Sequence, residues 1–165
     1  MKSQIRSFIR SSVLNVAGTF SAPKPGVHIL AGHFITPKSF APDHEKIFSQ
    51  FLNKLKNFGQ LIDIQDAVQL VKHGSAAPKN ECLFALTFDD GFEECLTIAN
   101  VLNDHKTNAA FFINANIIES SSSYRGGFFD RIKVYNKSPL TWSQLQEIHD
   151  QGHIIGSHTR DHMRL

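Results

Sequence analysis

The chain has 165 residues, 41% of them apolar, with 14 Phe against 1 Trp and 2 Tyr. That supplies one buried core and about one domain, and it is too short for a complete eight-stranded α/β barrel of about 250 residues. Lys and Arg total 17 against 15 Asp and Glu, a formal charge of +2; this gives no electrostatic case for nucleic acid or an anionic membrane as the main partner, and no apolar run approaches the ~20 residues of a membrane span.

At the N-terminus Ile5, Phe8, Ile9 and Val13 recur at helical spacing, with Arg6 and Arg10 on another face. Asn15 and Gly18 break the stretch that follows, so it lacks the continuous apolar core of a signal peptide. Residues 1–22 are read as an amphipathic helix and linker, either docked on the body or in weak contact with a membrane surface. The chain is accordingly expected in the cytoplasm or at the periphery of the inner membrane. Cys82 and Cys95 are too few for a disulfide framework and read as small buried hydrophobes.

Residues 22–26, Ala-Pro-Lys-Pro-Gly, punctuate the chain before a buried strand at 27–33. Pro37 and Pro42 mark a loop. Asp43 is placed to cap a helix carrying Ile47, Phe48, Phe51, Leu52, Leu55 and Phe58, closed by Gly59. A short extended piece at 61–64 precedes a helix at 66–73 ending at Gly74, and a polar loop follows at 75–80. Residues 82–88 form an apolar strand that runs into Asp89-Asp90-Gly91. A helix at 93–102 and a strand at 109–113 come next. Residues 120–127, rich in Ser and Gly, are expected to form a loop. Thr141 with Gln144 makes a capping box for a helix ending at Gly152, and 154–156 is a last short strand. Strands and helices alternate and the strands are apolar throughout, which predicts a parallel sheet covered by helices.

In parallel α/β folds functional groups gather at the carboxyl ends of strands. Asp89-Asp90-Gly91 and Ser157-His158-Thr159-Arg160-Asp161-His162 both stand at such ends. His158 and His162, spaced i, i+4, share a face if they occupy one helical turn. Two neutral imidazoles and one carboxylate make a three-ligand site with an open position, suited to a catalytic divalent ion. One of the two adjacent aspartates can ligate while its neighbour stays free as a base. An Asp-Asp-Gly is also a common helix-capping turn, and a His pair at this spacing is also found merely solvated. Their coincidence at two strand ends favours the metal site. Non-haem iron oxygenases use the same donor set, but the strand–helix alternation argues against that class.

Leu86-Thr87-Phe88-Asp89-Asp90-Gly91-Phe92 and Ser157-His158-Thr159-Arg160-Asp161-His162 resemble the first two motifs of the polysaccharide deacetylase family, also called the NodB-homology or carbohydrate esterase family 4 domain. Leu140-Thr141-Trp142 with Gly152-His153-Ile154-Ile155-Gly156 is similar to the stretch leading into the second motif. The resemblance spans roughly 27–165 and implies a deformed (β/α) barrel that hydrolyses N-acetyl groups on a carbohydrate polymer. It implies Asp89 as catalytic base and Asp90, His158 and His162 as ligands of a divalent metal, zinc first, with cobalt, nickel and manganese as the other candidates. His153 precedes its strand and is read as structural. One branch of the family carries a Tyr-His near the N-terminal strand, where the His replaces an acid of the last motif. Here Gly32 stands in place of Tyr, and His33 is either the general acid or a His that ends a buried strand. The chain stops three residues after His162, while the family continues with Arg-, Asp- and Trp-containing motifs. Residues 23–165 are therefore expected to be a partial domain, truncated after the second motif or completed by another chain. The alternative to a deacetylase is an inactive metal- or carbohydrate-binding remnant.

Overall fold

A computed structural model describes residues 22–36, 43–74, 80–134 and 137–162. The N-terminal helix expected at 1–22 falls almost wholly outside these residues, as do Pro37, Pro42 and 75–79 of the polar loop. Among these residues five strands and five helices follow in order: β1 (Gly26–Gly32), α1 (His44–Lys56), β2 (Gly59–Leu61), α2 (Ile64–Lys72), β3 (Cys82–Asp90), α3 (Glu94–Asp104), β4 (Ala109–Ile113), α4 (Ser122–Ile132), α5 (Trp142–Asp150) and β5 (Ile154–Ser157). A short 3-10 helix, Ala115–Ile117, leads from β4 toward α4.

The strands make one sheet in the order β1-β3-β4-β5, and every pair is parallel. β3 is its hub. β1 runs along one edge of β3, while the other edge pairs first with β2 at residues 82–84 and then with β4 at residues 86–90. The pattern expected from apolar strands is thus the observed one, because a parallel strand covered on both faces has no polar side.

Side-chain alternation along β3 splits the interior in two. Leu86 and Phe88, with Ala109, Phe111 and Ile113 of β4, pack against Phe48 and Leu52 of α1, Ile98 and Leu102 of α3, Phe128 of α4 and Ile148 of α5. Ala85 and Ala110 point to the other face, where Ile64 and Ala67 of α2 cover them. That second face is lined by small residues and is only partly covered. Ile29, Val68 and Ile154 remain 44%, 45% and 40% exposed along an apolar groove of about 430 Å³. Gly156 stands opposite Phe112 on this face, and a Cβ there would meet the Phe112 ring at 2.6 Å.

Three local expectations are corrected. Residues 120–127 are not a loop. α4 spans most of them, started by the Ser121 hydroxyl accepting from the Tyr124 N–H, and burial of Phe128 offsets the cost of Gly126 and Gly127. Gly59 does not close α1; Asn57 does, and Gly59 opens β2. The His158–His162 segment is a turn, with positive φ at Thr159 and His162, not a helical turn. By contrast the capping box at Thr141 and Gln144 forms as read, and both cysteines are buried and free. No helix among the described residues is long and apolar enough to cross a membrane.

His153 sits at the amino end of β5, 1% exposed. Its Nδ1 accepts from the Ala109 N–H at 3.1 Å, so its Nε2 faces the Ala99 carbonyl at 3.3 Å as donor. Its ring meets that of Phe111 edge-on. Burial holds this imidazole below the ordinary value of 6.5, against smaller raising influences from the Ala99 carbonyl and Asp63. The unfolded chain therefore takes up a proton that the folded chain refuses. Stability is expected to fall as pH drops through about 6.5, and to level off once the folded imidazole is protonated as well. Denaturant midpoints measured from pH 8 to pH 5 should show a shallower decline in His153→Leu than in wild type; equal slopes would remove His153 as the cause.

Candidate metal centre

The carboxyl ends of β3 and β5 lie on the two sides of β4, and the two motif segments meet there. Asp90, His158 and His162 each bring one ligand-type atom within 4.8 Å of the other two. His158 Nε2 is 3.6 Å and His162 Nε2 3.4 Å from the same oxygen, Asp90 Oδ1, and the imidazole centroids are 5.1 Å apart. Asp90 is 3% exposed, and its Oδ1 is buried with no hydrogen-bond partner. A buried carboxylate oxygen without a partner is costly, and here it faces two ring nitrogens.

These residues fit a divalent ion. Four ligands at ~2.0–2.1 Å in tetrahedral array stand about 3.3 Å apart, close to the separations found. Two imidazole nitrogens and one carboxylate oxygen form the donor set of an open catalytic site. Desolvation pushes the Asp90 carboxyl above its ordinary value. The imidazoles of His33, His162 and His158, in that order, pull it back, and Asp89 adds a smaller upward push.

The backbone around the site is held in uncommon conformations. Asp90, Thr159 and His162 have φ of 75°, 58° and 54°, each costing of order 1–3 kcal/mol. Gly91 follows at φ 80°, and a Cβ on it would meet Ile113 at 3.0 Å. The core behind the site outweighs this strain: Phe88, Phe111 and Ile113 are all nearly inaccessible, and each large apolar side chain so buried stabilises by about 1.5–3 kcal/mol.

Asp89 is half-buried at the end of β3, in register with Phe112. His33 lies just past the end of β1, exposed, and close enough to be the strongest charge influence on Asp90. The segment after His33 is tied down from below. The Ile35 N–H donates to Glu94 Oε2 at 2.8 Å, Glu94 pairs with Lys137, and Lys137 Nζ stands 5.1 Å over the Phe34 ring.

Sequence reasoning missed the groups that hold the imidazole turn. Asn114, wholly buried directly after β4, donates to the carbonyls of His158 and Thr159. Asp161 accepts from the Tyr124 hydroxyl and, at 2.8 Å, from Asn116 Nδ2. Those two bonds hold the Asp161 carboxyl below its ordinary value, Tyr124 contributing more. Asn114 was findable, since it is a polar residue at the carboxyl end of an apolar strand, the same signal that marks Asp89 and Asp90.

The family model described as polysaccharide deacetylase matches residues 76–165, more than half of the chain. Among solved structures, IcaB from Ammonifex degensii is 23% identical with a TM-score of 0.64, over 86% of this chain and 56% of that one. The PplD deacetylase of Streptococcus pyogenes, in complex with acetate, is 17% identical with a TM-score of 0.55, over 87% of this chain and 59% of that one. The BpsB deacetylase domain from Bordetella bronchiseptica is 20% identical with a TM-score of 0.55, over 84% of this chain and 58% of that one. No curated protein matches the chain. The chain thus spans somewhat over half the length of these structures and shares their α/β fold, with helices on a parallel sheet. With the family match reaching from the polar loop before β3 through both motifs, the chain belongs to the polysaccharide deacetylase family.

Proposed function

We propose that this chain carries the metal centre of a hydrolase that removes N-acetyl groups from a carbohydrate polymer, breaking a carbon–nitrogen bond of a non-peptide amide. The observation that carries the reading is the convergence of Asp90, His158 and His162 around one buried, unpartnered carboxylate oxygen, with Asp89 adjoining. Asp90, His158 and His162 would hold the ion, zinc by donor type. When bound, a divalent ion supplies Lewis acidity, lowering the pKa of water and polarising the acetamide carbonyl.

The remaining chemistry falls to side chains. Asp89, beside the ligands but outside their set, takes the proton from the attacking water as general base. His33, just past the end of β1 and the strongest charge influence on Asp90, gives a proton to the departing amine, which leaves poorly without one. The products are acetate and a free amino sugar unit. His158 and His162 are 34% and 37% exposed in their side chains, so the site opens to solvent and to a polymer rather than enclosing a small ligand.

A second reading is a metal- or carbohydrate-binding unit whose turnover needs a further chain. The open apolar groove along Ile29, Val68 and Ile154 favours it. Acetate release from N-acetylglucosamine oligomers decides between them. The full chain loaded with zinc is expected to release acetate and to stop when the ion is chelated. Stoichiometric zinc without acetate would establish the second reading, and failure to bind zinc would overturn both.

A further inference from the structure

The turn that carries both imidazoles is fixed at four successive carbonyls, His158 to Asp161, from outside itself. The His158 and Thr159 carbonyls accept from Asn114 Nδ2. The Arg160 carbonyl accepts from the Asn116 N–H at 3.2 Å, and the Asp161 carbonyl accepts from Arg131 at 3.0 Å. The His158 N–H donates to the Ile113 carbonyl at 2.9 Å. A second set of contacts comes from α4. The Tyr124 hydroxyl donates to Asp161 Oδ1, which also accepts from Asn116, and the Phe128 ring lies edge-on to the His162 ring at 6.4 Å.

A turn with two non-glycine residues at positive φ does not keep that shape by its own preference. We infer that Tyr124 and Asp161 are positioning residues, which lock the His158–His162 turn to α4 so that both imidazoles are aimed at Asp90 before any ion arrives. Asp161 lies immediately before His162, and its side chain points away from the ion site into the Tyr124–Asn116 pair. Its carboxylate therefore anchors the turn instead of ligating. Neither residue touches the ligand atoms, so each acts through the geometry of His162. The inference rests on the metal-centre reading and extends it to groups that the two motifs do not explain.

Ligands held in place bind an ion more tightly than ligands that must be ordered by it, and outer partners of this kind typically account for about 10–100-fold in affinity. Zinc affinity, measured by competition with a chromophoric chelator on the full chain, is expected to weaken about 10-fold in Tyr124→Phe and up to about 100-fold in Asp161→Ala. Asp161→Asn keeps an acceptor oxygen and should restore most of the affinity. The visible absorption of the cobalt-loaded chain should change in Tyr124→Phe, because the donor geometry is altered. Leu52→Ala, in α1 on the far side of the core, should lower thermal stability without moving affinity or spectrum.

Unchanged affinity and cobalt spectrum in a folded Asp161→Ala chain would overturn the inference. Tyr124→Phe loses one hydroxyl and keeps its ring, so it provides the same test if Asp161→Ala does not fold. A drop in affinity no larger than that of Leu52→Ala would also overturn it. If wild type and Asp90→Ala take up zinc equally, the metal-centre reading itself fails and the inference falls with it. The two failures are thus told apart by Asp90→Ala.

Discussion

Asp89→Asn is expected to lower acetate release by about 10²–10⁴-fold, the usual worth of a positioned general base, and to leave zinc affinity unchanged. Asparagine has nearly the size and shape of aspartate but cannot accept a proton from water. Asp89 lies outside the Asp90–His158–His162 cluster, so all three proposed ligands would remain. Its charge raises the Asp90 carboxyl slightly, and removing it favours, if anything, an ionised and ligating Asp90. A coupled acetate assay at saturating zinc, run beside a metal titration, reads both quantities. Turnover close to wild type would take the base role away from Asp89, while loss of zinc along with activity would make it a ligand.

Asp90→Ala has the second large effect. Zinc affinity should fall by more than the 10–100-fold that an outer partner accounts for, because one of three donors is gone. Stability without the ion should not follow the same course. The Asp90 carboxyl is raised above its ordinary value by burial. Such a group contributes stability below the unfolded value of 3.8 and loses it as pH rises through the folded value. Above that range the buried, ion-free Asp90 carboxylate therefore costs stability. Asp90→Asn removes that charge while tolerating positive φ. Its thermal midpoint in chelator at pH 7 is expected at or above wild type, although zinc no longer raises it. A midpoint that falls in both variants, with zinc still bound, would make Asp90 a structural carboxylate and not a ligand.

Much of the fold could be read from local signals. The strand at 109–113 is an unbroken apolar run, and it forms with those bounds. Thr141 and Gln144 stand at capping-box spacing, and the box closes. Asp90, His158 and His162 come together as the coincidence of two polar clusters at neighbouring strand ends suggested, although each cluster alone also has a structural use. The rest depended on tertiary contacts. Gly126 and Gly127 outweighed Phe128 in the sequence, yet the core selects the helix. The His158–His162 spacing brings the rings together, but through a turn whose shape is set by Asn114, Asn116 and Tyr124. Tyr124 and Asp161 are 37 residues apart, and no periodicity links them.

β4 separates β3, which ends in Asp90, from β5, which runs into His158 and His162, and everything from α3 to β5 lies between Asp90 and His158 along the chain. An ion shared by these side chains would act as a reversible cross-link that ties off this long stretch, much as a distant disulfide restricts an unfolded chain. Folding equilibrium and free-ion concentration would then be one linked variable, worth about 2.7 kcal/mol when the ion is a hundredfold above its dissociation constant. Scarcity of the ion would loosen the sheet as well as silence the site.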